Sequence, residues 1–122
     1  MKKRILIVED EPDILKTTQY VLESEGYEVF TAEDGEEGLK KMDTARPDLL
    51  LLDLRLPGKS GFQIAKEIKD DLLYKDIPII VFSAMTDEAS KYIAVRKQAI
   101  AFIEKPIDTE KLFFQIKEAL RS

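Results

Sequence analysis

The stretch Leu49-Leu50-Leu51-Leu52-Asp53 decides the fold class, because four consecutive leucines end abruptly at a carboxylate. A strand without any polar residue is covered on both faces, and such burial is typical of parallel sheets. Two other runs share this wholly apolar pattern, from Ile5 to Val8 and from Ile79 to Phe82. These three runs predict buried strands of a parallel sheet.

Two less uniform runs extend the predicted sheet to five strands. Residues 27–32 are partly polar and suit an edge strand, and residues 100–103 supply the fifth strand. Segments with the apolar spacing of a helix separate these runs. Residues that favour a helix start mark four of them, Pro12, Ser60, Asp87 and Asp108, and the apolar residues Leu39 and Met42 mark the remaining one. Strict alternation of strand and helix with right-handed crossovers predicts an α/β fold, a doubly wound (βα)5 five-stranded parallel sheet.

The composition excludes several classes of functional site. The chain has 122 residues, the length of one ordinary domain, and contains no cysteine and no histidine. Disulfides, zinc and iron–sulfur sites, thiol nucleophiles and Ser-His-Asp triads all need residues that this chain lacks. A metal ion would have to be bound by oxygen atoms, which favours Mg²⁺ or Ca²⁺.

The charge and hydropathy patterns indicate a cytoplasmic protein without direct nucleic-acid or membrane contacts. A net charge of −5 disfavours a surface that binds a phosphate backbone. No apolar stretch approaches the ~18 residues of a membrane span. The apolar run after Arg4 stops at Glu9, too soon for a secretory signal, and the absence of cysteine agrees with a cytoplasmic location.

Polar side chains follow four of the predicted strands. In chain order they are Glu9-Asp10-Glu11, Asp53, Ser83 and Lys105. Taken singly, each residue has a structural explanation as a helix cap, a turn residue or a solvated side chain. Because all strands of a parallel sheet end at the same edge, where ligands of open α/β sheets bind, we expect these groups to converge.

The predicted cluster fits the chemistry of phosphoryl transfer. Crowded carboxylates repel one another and are stable together when a cation joins them, and with oxygen ligands alone we expect that cation to be Mg²⁺. Lys105 adds a second positive charge, and Ser83 adds a hydroxyl donor. These groups would clamp three phosphoryl oxygens, and Asp53 between them is the natural nucleophile.

Four segments carry a resemblance to a known family. They are residues 5–11, residues 47–61, Phe82-Ser83-Ala84 and Lys105-Pro106. From Lys3 to about Leu120 the chain resembles the receiver domain of two-component response regulators, in the CheY-like superfamily. The resemblance implies the flavodoxin-like strand order 2-1-3-4-5 and a single response-regulator receiver domain over residues 1–122. It also implies a signalling phosphoprotein that catalyses its own phosphorylation and slow dephosphorylation and is not a turnover enzyme.

The resemblance implies roles for the residues at the strand ends. Asp53 accepts a phosphoryl group from the phosphohistidine of a sensor histidine kinase or of a histidine phosphotransfer protein, giving an aspartyl phosphate. Asp10, Asp53 and the backbone carbonyl of Arg55 bind Mg²⁺, and Glu9 acts through a water on the metal. Lys105 pairs with the phosphoryl group, and the X-Pro peptide bond that follows it is expected to be cis.

A conformational switch and a partner face are implied as well. Ser83 hydrogen-bonds the phosphoryl group, and Phe102 matches an aromatic residue that swings inward, although an ordinary core or edge aromatic is the alternative. The face of the fourth predicted helix, the fifth strand and the fifth helix then binds a downstream protein, a fused output domain or a second copy. Residues 98–101 lack the acidic side chains that relatives use for such a homodimer. An apolar recognition patch is our hypothesis, with packing against the sheet edge as the alternative, and its residues are Tyr92, Ile100, Phe113 and Phe114.

Three alternative functions share parts of this pattern. A pseudo-receiver is a phosphorylation-independent protein-interaction module, but such domains usually lack one residue of a set that is complete here: Glu9, Asp10, Asp53, Ser83 and Lys105. A flavodoxin-like cofactor binder needs a glycine- and hydroxyl-rich loop after the first strand, where this chain has carboxylates. A haloacid-dehalogenase-type phosphotransferase needs a second acid at the position of Arg55. A stand-alone receiver and a part of a longer regulator both fit the sequence.

Overall fold

A parallel sheet of five strands forms the centre of the fold, in a computed structural model that describes residues 2–83 and 101–121. The strands are β1 (Arg4–Val8), β2 (Glu28–Ala32), β3 (Leu49–Asp53), β4 (Ile79–Ser83) and β5 (Ala101–Glu104). Their spatial order is β2-β1-β3-β4-β5, and each neighbouring pair is parallel. The predicted doubly wound sheet, its strand order and the edge position of β2 are confirmed.

Four helices belong to the described residues. They are α1 (Pro12–Ser24), α2 (Gly35–Ala45), α3 (Gly61–Asp70) and α4 (Thr109–Ala119). The C-terminal helix α4 corresponds to the fifth helix of the sequence prediction, because the helix predicted from Asp87 lies outside the described residues. Among residues 2–83 and 101–121, no helix combines the length and apolar character needed to cross a membrane.

Side-chain caps fix two of the helix starts that the sequence predicts. The Ser60 side chain accepts a hydrogen bond from the Gln63 N–H at 3.3 Å, and the Gln63 side chain accepts one from the Ser60 N–H at 2.8 Å. The Asp108 carboxylate accepts from the N–H groups of Glu110 at 3.0 Å and Lys111 at 3.3 Å. Each cap satisfies backbone donors that the first helical turn leaves free and contributes about 1 kcal/mol.

The sheet is apolar on both faces because each face packs against helices. Along β1, Ile5 and Ile7 join one core layer, and Leu6 and Val8 join the other. The first layer includes buried apolar residues of α1 and α4, and the second includes Met42 of α2 and buried apolar residues of α3. These four side chains of β1 are fully buried, and each contributes about 1.5–3 kcal/mol of hydrophobic stabilisation. Burial on both sides explains the absence of polar alternation in the sequence.

The register of the strands brings their carboxyl ends to one edge. Asp53 at the end of β3 lies opposite Phe82 of β4, and Ser83 lies opposite Glu104 of β5. The backbone ladder continues one residue beyond these ends, where the Lys105 N–H donates to the Ser83 carbonyl at 2.9 Å. The last residues of the strands therefore surround a shared space.

Hydrogen bonds close the opposite, amino end of the sheet. The backbone N–H of Arg4 donates to Oδ2 of Asp48 at 2.8 Å, which ties β1 to the start of β3. The buried Tyr74 donates its hydroxyl hydrogen to the carboxylate of Asp43 on α2. This end of the sheet is held by polar groups that each have a partner.

Candidate functional site

Three carboxylates meet at the carboxyl ends of β1 and β3. One oxygen from each of Glu9, Asp10 and Asp53 lies within 4.8 Å of the other two. Glu9 is fully buried and Asp53 is 2% exposed, whereas Asp10 is exposed to solvent. The structure thus brings together the three acids that the sequence places after two different strands.

Lys105 contacts two of these carboxylates from the end of β5. Its Nζ lies 3.2 Å from Oδ2 of Asp53 and pairs with Oε1 of Glu9, and its side chain is 8% exposed. Burial lowers the pKa of Lys105, but the two carboxylates raise it more, so that the net shift is upward from the ordinary 10.5. Lys105 is therefore a cation at the site, and its peptide bond to the following proline is cis, as expected.

Both carboxylate oxygens of Glu9 have a protein partner. Oε2 accepts the backbone N–H of Glu11 at 3.0 Å, and Oε1 pairs with Lys105. Burial nevertheless raises the pKa of the Glu9 carboxyl from 4.5 to about 7, with a further rise from the charge of Asp53, against the lowering effect of its hydrogen bonds. The protein partners therefore leave the cluster short of positive charge.

The donor set fits a hard divalent cation. All three candidate ligands offer carboxylate oxygens, close enough together to reach one ion. Because burial and the charge of Asp53 both disfavour the ionised form of Glu9, a further positive charge beside these carboxylates would stabilise them. Mg²⁺, which prefers oxygen ligands and keeps several waters, suits such a site.

The backbone around Asp53 is folded tightly. Its Oδ1 accepts the N–H of Arg55 at 3.2 Å, so the backbone of Arg55 lies beside the carboxylate. The first residue of α3, Gly61, packs so closely that a Cβ there would stand 2.2 Å from the Asp53 carbonyl oxygen. This close approach was not predicted for Gly61, and its only signal in the sequence is a glycine directly after the helix cap Ser60.

The predicted switch residues lie on the neighbouring strands. Ser83 is fully buried at the end of β4. Phe102 on β5 is half-buried and packs against the core layer that contains Val81. Ser83 therefore ends β4 at the edge of the sheet where Asp53 ends β3, and Phe102 lies within β5 against the adjoining core.

The two adjacent phenylalanines of the C-terminal helix have different environments. Phe113 packs against the core layer between the sheet and helices α1 and α4. Phe114 is 61% exposed and lines, with Phe102 and Gln115, an open cleft of about 780 Å³. Tyr92 and Ile100, the other members of the predicted partner patch, lie outside the described residues.

Phe82 is a residue of the site that the sequence analysis missed. It is fully buried, and the centre of its ring lies 5.1 Å from Nζ of Lys105. The apolar run of β4 accounts for Phe82 as a core residue, and the spacing to Lys105 contains no local signal of contact. Only the tertiary fold shows this pair.

Known protein sequences resemble the chain over nearly its whole length. A family model described as the response regulator receiver domain matches residues 5–117. The chain is 38% identical over 121 residues to the alkaline phosphatase synthesis transcriptional regulatory protein PhoP of Bacillus subtilis, covering 99% of this chain and 50% of that protein. It is 36% identical to the phosphate regulon transcriptional regulatory protein PhoB of Escherichia coli, covering 99% and 53%. The chain spans about half the length of these curated relatives.

Solved structures share the whole fold. A response regulator from Chloroflexus aurantiacus superposes with a TM-score of 0.95 at 30% identity and covers 100% of both chains. The chemotaxis response regulator CheY4 of Vibrio cholerae gives a TM-score of 0.90 at 30% identity, covering 98% of this chain and 100% of that one. Fold and sequence similarity therefore extend over the same residues.

Proposed function

The chain belongs to the response regulator receiver domain family, and on that premise we propose that Asp53 is its phosphoacceptor. The donor is the phosphohistidine of a sensor histidine kinase or of a histidine phosphotransfer protein, and residues 1–122 form one receiver domain. The observation that carries the proposal is the meeting of Asp53 with Glu9, Asp10 and Lys105 at one end of the sheet. The backbone N–H of Arg55 and the ammonium of Lys105 both orient the Asp53 carboxylate.

The surroundings of Asp53 prepare it as a nucleophile. The Arg55 N–H holds Oδ1 and the Lys105 ammonium holds Oδ2, so the carboxylate has a fixed orientation before the donor arrives. A carboxylate oxygen forms a bond to phosphorus while the bond from phosphorus to the imidazole nitrogen breaks, and the electron pair leaves with the imidazole, whose other ring nitrogen carries a proton. The product is an aspartyl phosphate and a neutral histidine.

The acidic cluster binds Mg²⁺ in this proposal. Asp10, Asp53 and the backbone carbonyl of Arg55 would hold the ion directly, and Glu9 would act through an intervening water. When bound, Mg²⁺ supplies positive charge that offsets the repulsion between the carboxylates and the incoming phosphoryl oxygens. The burial of Asp53 and Glu9 strengthens each electrostatic interaction by excluding water.

Lys105 and Ser83 bind the phosphoryl group after transfer. The Lys105 ammonium lies against Asp53 and pairs with one phosphoryl oxygen, and the buried hydroxyl of Ser83 donates a hydrogen bond to another. Movement of Ser83 toward the site allows Phe102 to move inward, which shifts the population of conformations. The domain slowly hydrolyses its own aspartyl phosphate and does not turn over a substrate.

The described part of the proposed partner face lies on β5 and the C-terminal helix, whereas the fourth predicted helix lies outside the described residues. Phe114 is exposed beside Phe102, so an apolar partner surface can reach the residue that responds to phosphorylation. PhoP and PhoB are transcriptional regulatory proteins about twice as long as this chain. We expect the phosphorylated domain to control a downstream protein or a fused output domain through this face, with a homodimer as a further possibility.

Labelling with acetyl phosphate tests the proposal. We compare the unmodified protein, Asp53→Asn and the matched control Asp48→Asn by intact mass, with Mg²⁺ and with EDTA. Asp48 directly precedes β3, at the other end of the strand from Asp53, and its oxygen accepts the Arg4 N–H, a contact that asparagine keeps. We expect one phosphate adduct on the unmodified protein and on Asp48→Asn with Mg²⁺, and none on Asp53→Asn.

Each other outcome contradicts part of the proposal. Equal labelling of Asp53→Asn would remove the assigned role of Asp53, and labelling in EDTA would remove that of the cation. A properly folded protein that never gains phosphate would be a pseudo-receiver.

A further inference from the structure

The side chain of Lys105 lies between two carboxylates and one aromatic ring. Glu9 and Asp53 contact its ammonium, and the ring of Phe82 lies 5.1 Å away from Nζ to ring centre. Phe82 is fully buried and lies opposite Asp53 in the register of β3 and β4. The ring therefore borders the site from within the core.

An aromatic ring attracts a cation over its face. The face of the phenylalanine ring carries the negative part of its quadrupole, and the attraction for an ammonium increases where water is excluded. The Lys105 side chain is 8% exposed and Phe82 is fully buried, so this contact is largely dry. The electrostatic preference thus acts without strong screening by solvent.

The Lys105 side chain needs a third contact because its two carboxylate partners attract the ammonium toward different positions. Its four-carbon side chain has many rotamers, and its two partners lie apart in the fold, Glu9 directly after β1 and Asp53 at the end of β3. Without a third contact, the ammonium could follow Glu9 away from the oxygen of Asp53. A ring on β4, directly opposite Asp53, limits that movement.

We propose that Phe82 is a positioning residue whose ring holds the ammonium of Lys105 where it meets a phosphoryl oxygen on Asp53. This inference rests on the proposed role of Asp53 as the phosphoacceptor. Phe82 touches neither the phosphoryl group nor a metal ion and acts through Lys105.

A trifluorinated phenylalanine at position 82 tests the electrostatic contact with little change of shape. Fluorine withdraws charge from the ring face, so the ammonium loses its attraction while the core stays filled. With acetyl phosphate and saturating Mg²⁺, we expect labelling of Asp53 to slow about tenfold. Phe82→Met, which keeps similar volume without a ring, should slow labelling by a similar factor.

Two controls separate this role from a general effect on the core. Ile80→Val changes a fully buried residue of the same strand and the same core layer, and should leave the labelling rate unchanged. In a Lys105→Met background, Phe82→Met should slow labelling no further, because Phe82 acts only through the lysine. Equal slowing with and without Lys105 would overturn the proposal and leave Phe82 as a packing residue.

A spectroscopic measurement reports the contact without any phosphorylation. In protein with ¹³C-labelled lysine, the ring current of Phe82 should shift the ε-methylene proton signals of Lys105 upfield, and Lys105→Met identifies those signals. The shift should disappear in Phe82→Met, and its persistence there would also overturn the proposal. If the unmodified protein gains no phosphate, the role of Asp53 fails whatever the spectrum shows, whereas normal labelling of both Phe82 variants overturns only this inference.

Discussion

The two ends of the β-sheet differ in the partners of their charged side chains. At the amino end, Asp48 accepts the N–H of Arg4, and Lys69 donates to the carbonyl of Ile77 at 2.6 Å. At the carboxyl end, Glu9 and Asp53 are both buried against one ammonium, that of Lys105, and Asp10 lies beside them. At the amino end these charged side chains bond to backbone groups, whereas at the carboxyl end three carboxylates lie close together beside one ammonium.

This difference separates stability from function within a single fold. Paired groups at the amino end close the sheet and contribute to folding free energy. The crowded carboxylates at the carboxyl end cost folding free energy and are retained, in our account, because a cation and a phosphoryl group require them. Substitutions at the amino end should therefore lower stability and leave labelling unchanged, whereas substitutions at the carboxyl end should mainly affect metal binding and labelling.

Loss of metal-dependent stabilisation is the largest effect that we expect. Mg²⁺ at a hundredfold excess over its Kd should stabilise the unmodified protein by about 2.7 kcal/mol. Asp10→Asn removes one carboxylate of the cluster at an exposed position, so most of this increment should vanish while the metal-free protein keeps its stability. Urea unfolding at several Mg²⁺ concentrations measures both quantities. An undiminished increment in Asp10→Asn would show that the ion binds elsewhere.

The pH dependence of stability should reveal the surplus charge at the carboxyl end. Since burial raises the pKa of Glu9 from 4.5 to about 7, the folded state favours its protonated form. The stability that protonated Glu9 contributes to the folded state is fully present below pH 4.5 and is lost as pH rises through about 7. In EDTA, the free energy of unfolding of the unmodified protein should therefore decline between about pH 5 and about pH 7.5. The Glu9→Gln variant should show a decline smaller by on the order of 2 kcal/mol.

Urea unfolding across this pH range, with the unmodified protein in parallel, measures the decline. If the free energy of unfolding changes with pH in the same way in Glu9→Gln and in the unmodified protein, Glu9 ionises normally in the folded state.

At the amino end, removal of one hydroxyl should lower stability and spare the chemistry. Tyr74→Phe deletes the hydrogen bond to Asp43 from a buried side chain and should cost about 1 kcal/mol. The control Tyr20→Phe changes a tyrosine that is 73% exposed and should leave the unfolding midpoint unchanged. Both variants should gain phosphate at the normal rate. If Tyr74→Phe but not Tyr20→Phe gains phosphate more slowly, the amino end of the sheet influences the chemistry at the carboxyl end.

An exposed ion pair near the site should matter least. Lys59 lies 2.9 Å from Glu67 and 3.5 Å from Glu36, but these groups are open to solvent, which screens their attraction. Lys59→Met should therefore change neither the urea midpoint nor the labelling rate measurably. A clear loss of labelling would show that the loop between β3 and α3 depends on this ion pair.

Local patterns were sufficient to predict the sheet. The apolar run of β3 and its counterparts in β1 and β4 indicate strands buried on both faces, and the capping residues Ser60 and Asp108 mark two helix starts. The convergence of Glu9 and Asp53 also follows from the sequence, because parallel strands end at one edge. These predictions need only the order of the elements along the chain.

Contacts between distant side chains could not be predicted in the same way. The pairing of Lys105 with Glu9 joins the two ends of the chain, and the ring of Phe82 has the pattern of an ordinary strand residue. Tyr74 and Asp43 are similar, because neither lies in a motif that implies the other. The different burial of the neighbours Phe113 and Phe114 depends on the rotation of their helix against the sheet.

Reductive mapping of the phosphorylated residue tests the central claim most directly. Borohydride converts an aspartyl phosphate to homoserine, which peptide mass spectrometry locates in the sequence. After treatment with acetyl phosphate and Mg²⁺, the account predicts homoserine at position 53 and unchanged side chains at Glu9 and Asp10. Conversion at either of those two carboxylates in place of Asp53 would contradict the account.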